Sequence, residues 1–141
     1  MSTVGDWMTR NPVTIDQEAS LIEAIHSLKE HDIRRLPVTR EGRFVGLITD
    51  RMLKEYSPSK ATSLDTWEVH YLLSKTPVKE VMNSSPVTAH QDLELWEAAE
   101  LFLQHRLYGL CVVDEKGDLV GIMSVGDILR AVVATDKPAK K

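Results

Sequence analysis

The sequence predicts a mixed α/β (α+β) protein made of two β-α-β-β-α units packed about a pseudo-twofold axis. Three observations predict it. Residues 4–56 match residues 78–131 at an offset of 74, which becomes 75 after Lys116. Each copy carries one apolar stripe at helical spacing, then two short runs of branched residues around a glycine-bearing turn. Each copy also has only on the order of 50 residues, and a unit that small buries about 60% of its surface, so the copies are expected to share a core. The matching text is MTRNPVTI with MNSSPVTA, and IRRLPVTREGRFVGLITD with LYGLCVVDEKGDLVGIMSV. A repeat of this length is a unit of fold, not a local motif.

The first copy is assigned residues 4–58. Its Pro12–Ile15 piece is extended. Ser20 can cap a helix while Glu23 reaches back to it. Leu21, Ala24, Ile25 and Leu28 make one apolar stripe. Ile33–Thr39 reads as a strand, residues 40–43 (REGR) as a turn, and Phe44–Ile48 as the returning strand. Thr49 or Asp50 can cap a second helix reaching about Glu55. Residues 59–77 are read as a linker with a short amphipathic helix. Ser57-Pro58-Ser59 signals a turn, Asp65 and Glu68 suggest a cap, and Pro77 ends the segment. Trp67, Tyr71 and the stripe Val69, Leu72, Leu73 either brace the core or face a partner. The second copy, residues 78–133, repeats the first. Leu95, Ala98, Ala99 and Phe102 form its stripe, Leu107–Val113 and Leu119–Met123 its hairpin, and Ser124 caps a last helix reaching about Val133. Residues 134–141 are expected to be a flexible tail.

Composition narrows the function. The chain is 43% hydrophobic and 27% charged, ordinary for a globular domain. Net charge is −4 and the isoelectric point is near 5.7. A nucleic-acid partner is not expected, because binding duplex phosphates needs a basic face. The lone Cys111 fits a reducing compartment, the cytoplasm. The chain shows no membrane-length apolar run and no signal-peptide pattern at its start. His31 and His105 fall at the ends of equivalent helices, where a cation suits the dipole. His26, His70 and His90 lack metal-ligand spacing, so no metal is expected. No nucleophile–base–orienter set is visible, so no enzyme is expected.

The quoted segments resemble the CBS domain, named after cystathionine β-synthase, in tandem. The likeness spans about three quarters of the chain and occurs in both copies. The arrangement is similar to stand-alone bacterial CBS pairs (Bateman modules), including those linked to acetoin utilisation. The resemblance implies a regulatory module in signal transduction. It also implies a homodimer, a cleft between the copies for an adenine nucleotide (AMP, ADP, ATP or a related adenosyl ligand), and a regulated protein as partner. The alternative is a dimerising structural adaptor that binds no ligand.

An adenosine site needs a slot for the base, an acidic acceptor for the ribose hydroxyls and donors for phosphate. The family pattern runs Gly, two apolar residues, Ser or Thr, two residues, then Asp. The second copy has it whole in Gly121, Ile122, Met123, Ser124, Val125, Gly126, Asp127. By resemblance, Ser124 donates to the ligand, Asp127 accepts the ribose hydroxyls, and Thr88, Ala89, Leu107, Tyr108, Gly109 and Leu110 wall the base. Ser-x-x-Asp at a helix start is equally a capping box, and one pair of side chains can do both. Cys111 replaces the more usual proline, seen as Pro37 in the first copy. That copy also has Met52 where Asp127 stands, and methionine is a poor acceptor for hydroxyls. Its cleft is expected to be weak or to take a different group. Candidates there are Thr14, Asp16 and Thr49, with Arg34, Arg35 and Arg51 as phosphate partners or as a solvated face.

Overall fold

The computed structural model describes residues 2–56 and 65–138. The Ser57–Ser59 turn signal lies outside the described residues. In chain order the elements are α1 (Val4–Trp7), β1 (Thr9–Arg10), β2 (Ile15–Asp16), α2 (Leu21–Glu30), β3 (Arg35–Arg40), β4 (Arg43–Thr49), α3 (Asp50–Tyr56), α4 (Thr66–Lys75), a 3₁₀ turn (Val78–Glu80), β5 (Thr88–His90), α5 (Leu95–His105), β6 (Gly109–Val113), β7 (Leu119–Ser124) and α6 (Val125–Asp136). Each copy therefore reads β-α-β-β-α. The last helix continues through Asp136, where Thr135 Oγ1 donates to the Ala131 carbonyl at 2.7 Å.

Two compact units result, and neither coincides with one sequence copy. One joins the residues up to Pro12 to those from Val87 onward; the other is Val13–Pro86. Each copy thus gives its opening segment to the unit built by the other copy. In the first unit, β1 pairs antiparallel with β7, and the sheet order is β1-β7-β6-β5. In the second, the order is β2-β3-β4, and Asn83 exchanges two 2.9 Å backbone hydrogen bonds with Leu47. Asn83 and Thr9 are equivalent residues of the two copies. The fourth strand of the second unit is thus reduced to one bridge.

Glycine makes the exchange possible. A Cβ on Gly121 would lie 2.5 Å from Met8 Sδ and 2.8 Å from the Thr9 carbonyl. A Cβ on Gly46 would lie 2.8 Å from both Met82 Sδ and the Asn83 carbonyl. The incoming methionine and main chain occupy the space a side chain would need.

In place of the one shared core expected from the repeat, each unit has its own apolar cluster, drawn from both copies. In the Val13–Pro86 unit it includes Leu21, Ala24 and Leu28 from α2, Leu36 and Val38 from β3, Ile48 and Leu53, with Val78 from the incoming segment. In the other unit it includes Ala98 and Phe102 from α5, Leu110, Val112 and Met123, with Val4 and Met8 incoming. The predicted helix stripes are largely the buried faces. Full burial of a side chain such as Leu21 or Leu110 is worth about 1.5–3 kcal/mol. Ser20 Oγ accepts from the Glu23 N–H at 3.1 Å and caps α2; Asp65 Oδ1 accepts from the Glu68 N–H at 2.8 Å and caps α4. Helix α4 packs on α2 and buries Leu73. Trp67 and Tyr71, on its other face, are 81% and 64% exposed.

Candidate functional site

The site is built at one end of the β1-β7-β6-β5 sheet. Strand β5 begins at Thr88, β6 begins at Gly109, and β7 ends at Ser124. Gly109 pairs with Ser124, and Thr88 with Cys111. The Val125 N–H donates to the Tyr108 carbonyl at 3.1 Å, tying the first turn of α6 to the start of β6. Thr88, Tyr108, Gly109, Ser124 and Asp127 are therefore gathered at the sheet end where α6 begins. Leu107 precedes them, half-buried.

Two of the expected wall residues face the other way. Ala89 and Leu110 are 3% and 0% exposed and belong to the apolar cluster. Side chains alternate along a strand. What these two residues present at the site is therefore main chain. Tyr108, at 74% exposure, is the large side chain open to a planar group.

Asp127 is the buried acid of the site, 4% exposed. Its Oδ2 accepts from the Ser124 N–H at 2.8 Å and the Ser124 hydroxyl at 3.3 Å, and the Asp127 N–H donates to Ser124 Oγ at 3.3 Å. This is a complete capping box. Its Oδ1 accepts from Arg130 Nη2, an ion pair whose arginine side chain is 67% exposed. The same motif occurs elsewhere as a cap. Thr3-Val4-Gly5-Asp6 starts α1 with its own capping box, and there Asp6 is exposed. The Thr3 N–H, donating to Asp6 Oδ2 at 2.9 Å, is the leading cause that holds the Asp6 carboxyl below its ordinary range. Ser124-Val125-Gly126-Asp127 differs in burial and in its arginine. Sequence reading missed Arg130, although i,i+3 acid–base spacing on a helix was a signal for it.

The Val13–Pro86 unit repeats the frame with different chemistry. Arg35 pairs with Thr49, and the Asp50 N–H donates to the Arg34 carbonyl at 2.9 Å. Thr49 Oγ1 accepts from the Met52 N–H at 3.1 Å, so the cap persists without the acid. Arg51 Nε donates to Glu55 Oε1 at 3.1 Å across the exposed face of α3. Glu55 occupies the position of Arg130. Thr14, exposed, precedes β2 and lies at the same end of the sheet as Thr49. Asp16 does not join this group. It pairs with Thr39, four residues along β3 from Arg35, a separation of about 13 Å at strand rise. Its Oδ1 accepts instead from the Glu18 N–H at 2.8 Å.

Sequence spacing did not suggest a metal cluster, yet folding brings His90, Asp92 and Glu115 together, with potential ligand atoms within 4.8 Å of one another. Glu115 arrives from the β6–β7 turn. The His90 Nδ1 lone pair is committed to the Asp92 N–H at 3.0 Å, which disfavours the group as a ligand set. Among the described residues no helix is long and apolar enough to cross a membrane.

The fold and the two helix-capped sheet ends define a duplicated α+β module. The chain belongs to the CBS domain family, whose domain model matches residues 4–59 and 78–134, once per copy. Three solved structures illustrate the likeness. The CBSX2 protein of Arabidopsis thaliana, in complex with AMP, is 31% identical with TM-score 0.79, covering 97% of this chain and 100% of that one. The CBS domain pair of protein MJ0100, in complex with 5′-methylthioadenosine and S-adenosyl-L-methionine, is 26% identical with TM-score 0.75, covering 95% and 98%. A protein assigned to acetoin utilization (AcuB) from Vibrio cholerae is 26% identical with TM-score 0.79, covering 99% of each chain. The chain is thus similar along its length to acetoin-utilisation CBS pairs as well.

Proposed function

We propose that the chain is a non-catalytic regulatory module of the cytoplasm. It binds an adenine nucleotide or related adenosyl ligand at the Ser124–Asp127 end of the β5–β7 sheet and relays that state to a partner protein. One observation carries the reading. Asp127 is a buried carboxylate held in place by Ser124, beside the exposed Thr88 and Tyr108. A plain surface cap, such as Thr3–Asp6, has no need of that burial. Asp127 accepts the ribose hydroxyls, Ser124 contributes its hydroxyl, and Thr88, Leu107, Tyr108 and the main chain of Ala89, Gly109 and Leu110 line the base. The AMP complex of the similar CBSX2 protein supports the ligand class.

The equivalent set Thr14, Arg34, Arg35, Thr49 and Arg51 lacks the acid and binds more weakly or takes another group. Relay to a partner requires that the ligand favour one of two conformations. The module acts as a homodimer. Leu103 of α5 and Leu129, Val132 and Val133 of α6 are 81%, 60%, 50% and 59% exposed, an apolar surface suited to self-association. The residues matching Leu103 and Leu129 in the other unit are Lys29 and Lys54.

Thermal unfolding with AMP, ADP, ATP and S-adenosyl-L-methionine tests the reading. A ligand at about 100 times its Kd stabilises by about 2.7 kcal/mol. No shift with any of them, or an equal shift in Asp127→Ala, refutes it. The second reading is a ligand-independent dimerising adaptor. It is favoured by the exposed Trp67 and Tyr71 on α4, and tight dimerisation with indifference to nucleotides would select it.

A further inference from the structure

We propose that Arg130 sets the ligand specificity of the Ser124–Asp127 site, selecting adenosyl ligands that carry a phosphate. This rests on the adenine-nucleotide reading above and deepens it. The two oxygens of Asp127 have different duties. Oδ2 is held by the Ser124 N–H and hydroxyl. Oδ1 is held by Arg130. A ribose that engages the carboxylate must do so at Oδ1, because releasing Oδ2 undoes the cap of α6. The two ribose hydroxyls together fill the acceptor capacity of Oδ1, so binding competes with Arg130.

The setting makes that competition sensitive to the ligand's charge. Arg130 lies on the second turn of α6, but its guanidinium folds back toward the first. A Cβ on Gly126 would lie 3.5 Å from Nη1 and 3.8 Å from Nη2. The positive end of a helix repels a cation, and Asp127 offsets this in the ligand-free protein. An uncharged nucleoside or a sulfonium ligand takes Oδ1 and leaves the guanidinium there without its anion. A nucleotide takes Oδ1 and supplies a phosphate in exchange, matched to the guanidinium fork and to the helix end. The exchange then conserves charge pairing. The other copy has the opposite charge at this position, Glu55, which is paired with Arg51.

The test is calorimetric titration of the full chain with AMP and with adenosine, for wild type, Arg130→Gln and Arg130→Lys. Wild type is expected to prefer AMP. Arg130→Gln should weaken AMP by about tenfold, the scale of one charge-assisted hydrogen bond, and leave adenosine unchanged or tighter. Arg130→Lys should recover part of the AMP affinity. Circular dichroism verifies that each variant is folded. Equal weakening of both ligands in folded Arg130→Gln overturns the proposal, as does unchanged AMP affinity. Wild type binding adenosine as tightly as AMP overturns it while leaving the adenosyl reading intact. Wild type binding neither ligand removes that reading, and this proposal with it.

Discussion

Ser124 and Asp127 hold each other reciprocally. The Ser124 N–H donates to Asp127 Oδ2 at 2.8 Å, and the Asp127 N–H donates to Ser124 Oγ at 3.3 Å. Each bond satisfies a donor that the start of α6 would otherwise leave without a partner. Ser124→Ala should therefore lower ligand-free stability by about 1 kcal/mol, the usual value of an N-cap. Asp127→Ala should cost at least as much, since it also strips Arg130 of its partner. The double variant should cost less than the sum, because the bonds are shared. Urea unfolding of the four proteins measures the coupling, and strict additivity would contradict the reciprocal box.

Gly121 and Met8 make a second tight relationship. Gly121→Ala places a methyl where Met8 Sδ and the Thr9 carbonyl already lie. Main chain has to move, and overpacking of this kind costs about 1–3 kcal/mol. Thermal unfolding should show the loss. Gly126→Ala is the comparison: its nearest neighbours lie at 3.4 Å and beyond, and one is the movable end of Arg130. It should change stability much less.

The apolar surface of α5 and α6 predicts a change of assembly. Leu103→Lys with Leu129→Lys gives this unit the lysines found at Lys29 and Lys54 in the other. The pair should shift the protein toward monomer in sedimentation with little effect on folding, because both side chains are largely exposed. An unchanged mass would remove this surface from the dimer.

The depressed Asp6 carboxyl gives a pH dependence. Its hydrogen bonds from Thr3 favour the charged form in the folded protein. The folded pKa is below the unfolded one, so the stabilisation is present above the unfolded value and is lost as pH falls through the folded value. Wild type and Asp6→Asn should therefore differ near neutrality and converge in acid. Thermal unfolding across the acidic range measures this, and a gap that widens toward low pH would reverse the sign.

Much of this was legible from local chemistry. Ser20, Asp65 and Ser124 cap the helices their spacing announced, and the Gly42 and Gly117 turns lie between the strands expected of them. Such features depend on neighbours a few residues away. The exchange of opening segments was not legible, because Val4 and Val78 match each other in sequence but serve each other's units. Nor could the repeat alone show which way Leu110 turns, since β6 is central in its sheet and buried on both faces. Asp127 was visible as the residue the first copy lacks. Its burial, and the role of Arg130 in occupying it, emerge only when helix, strand and cap are assembled.

The reciprocal gift of opening segments has a consequence for cutting the gene. A fragment ending before Val78 contains two incomplete units, whereas residues 13–86 contain every part of one. A single copy made alone would be in the same position. It could complete a unit only by trading its first residues with a twin, as a domain-swapped pair. With both copies in one chain, that trade is intramolecular. It no longer depends on protein concentration.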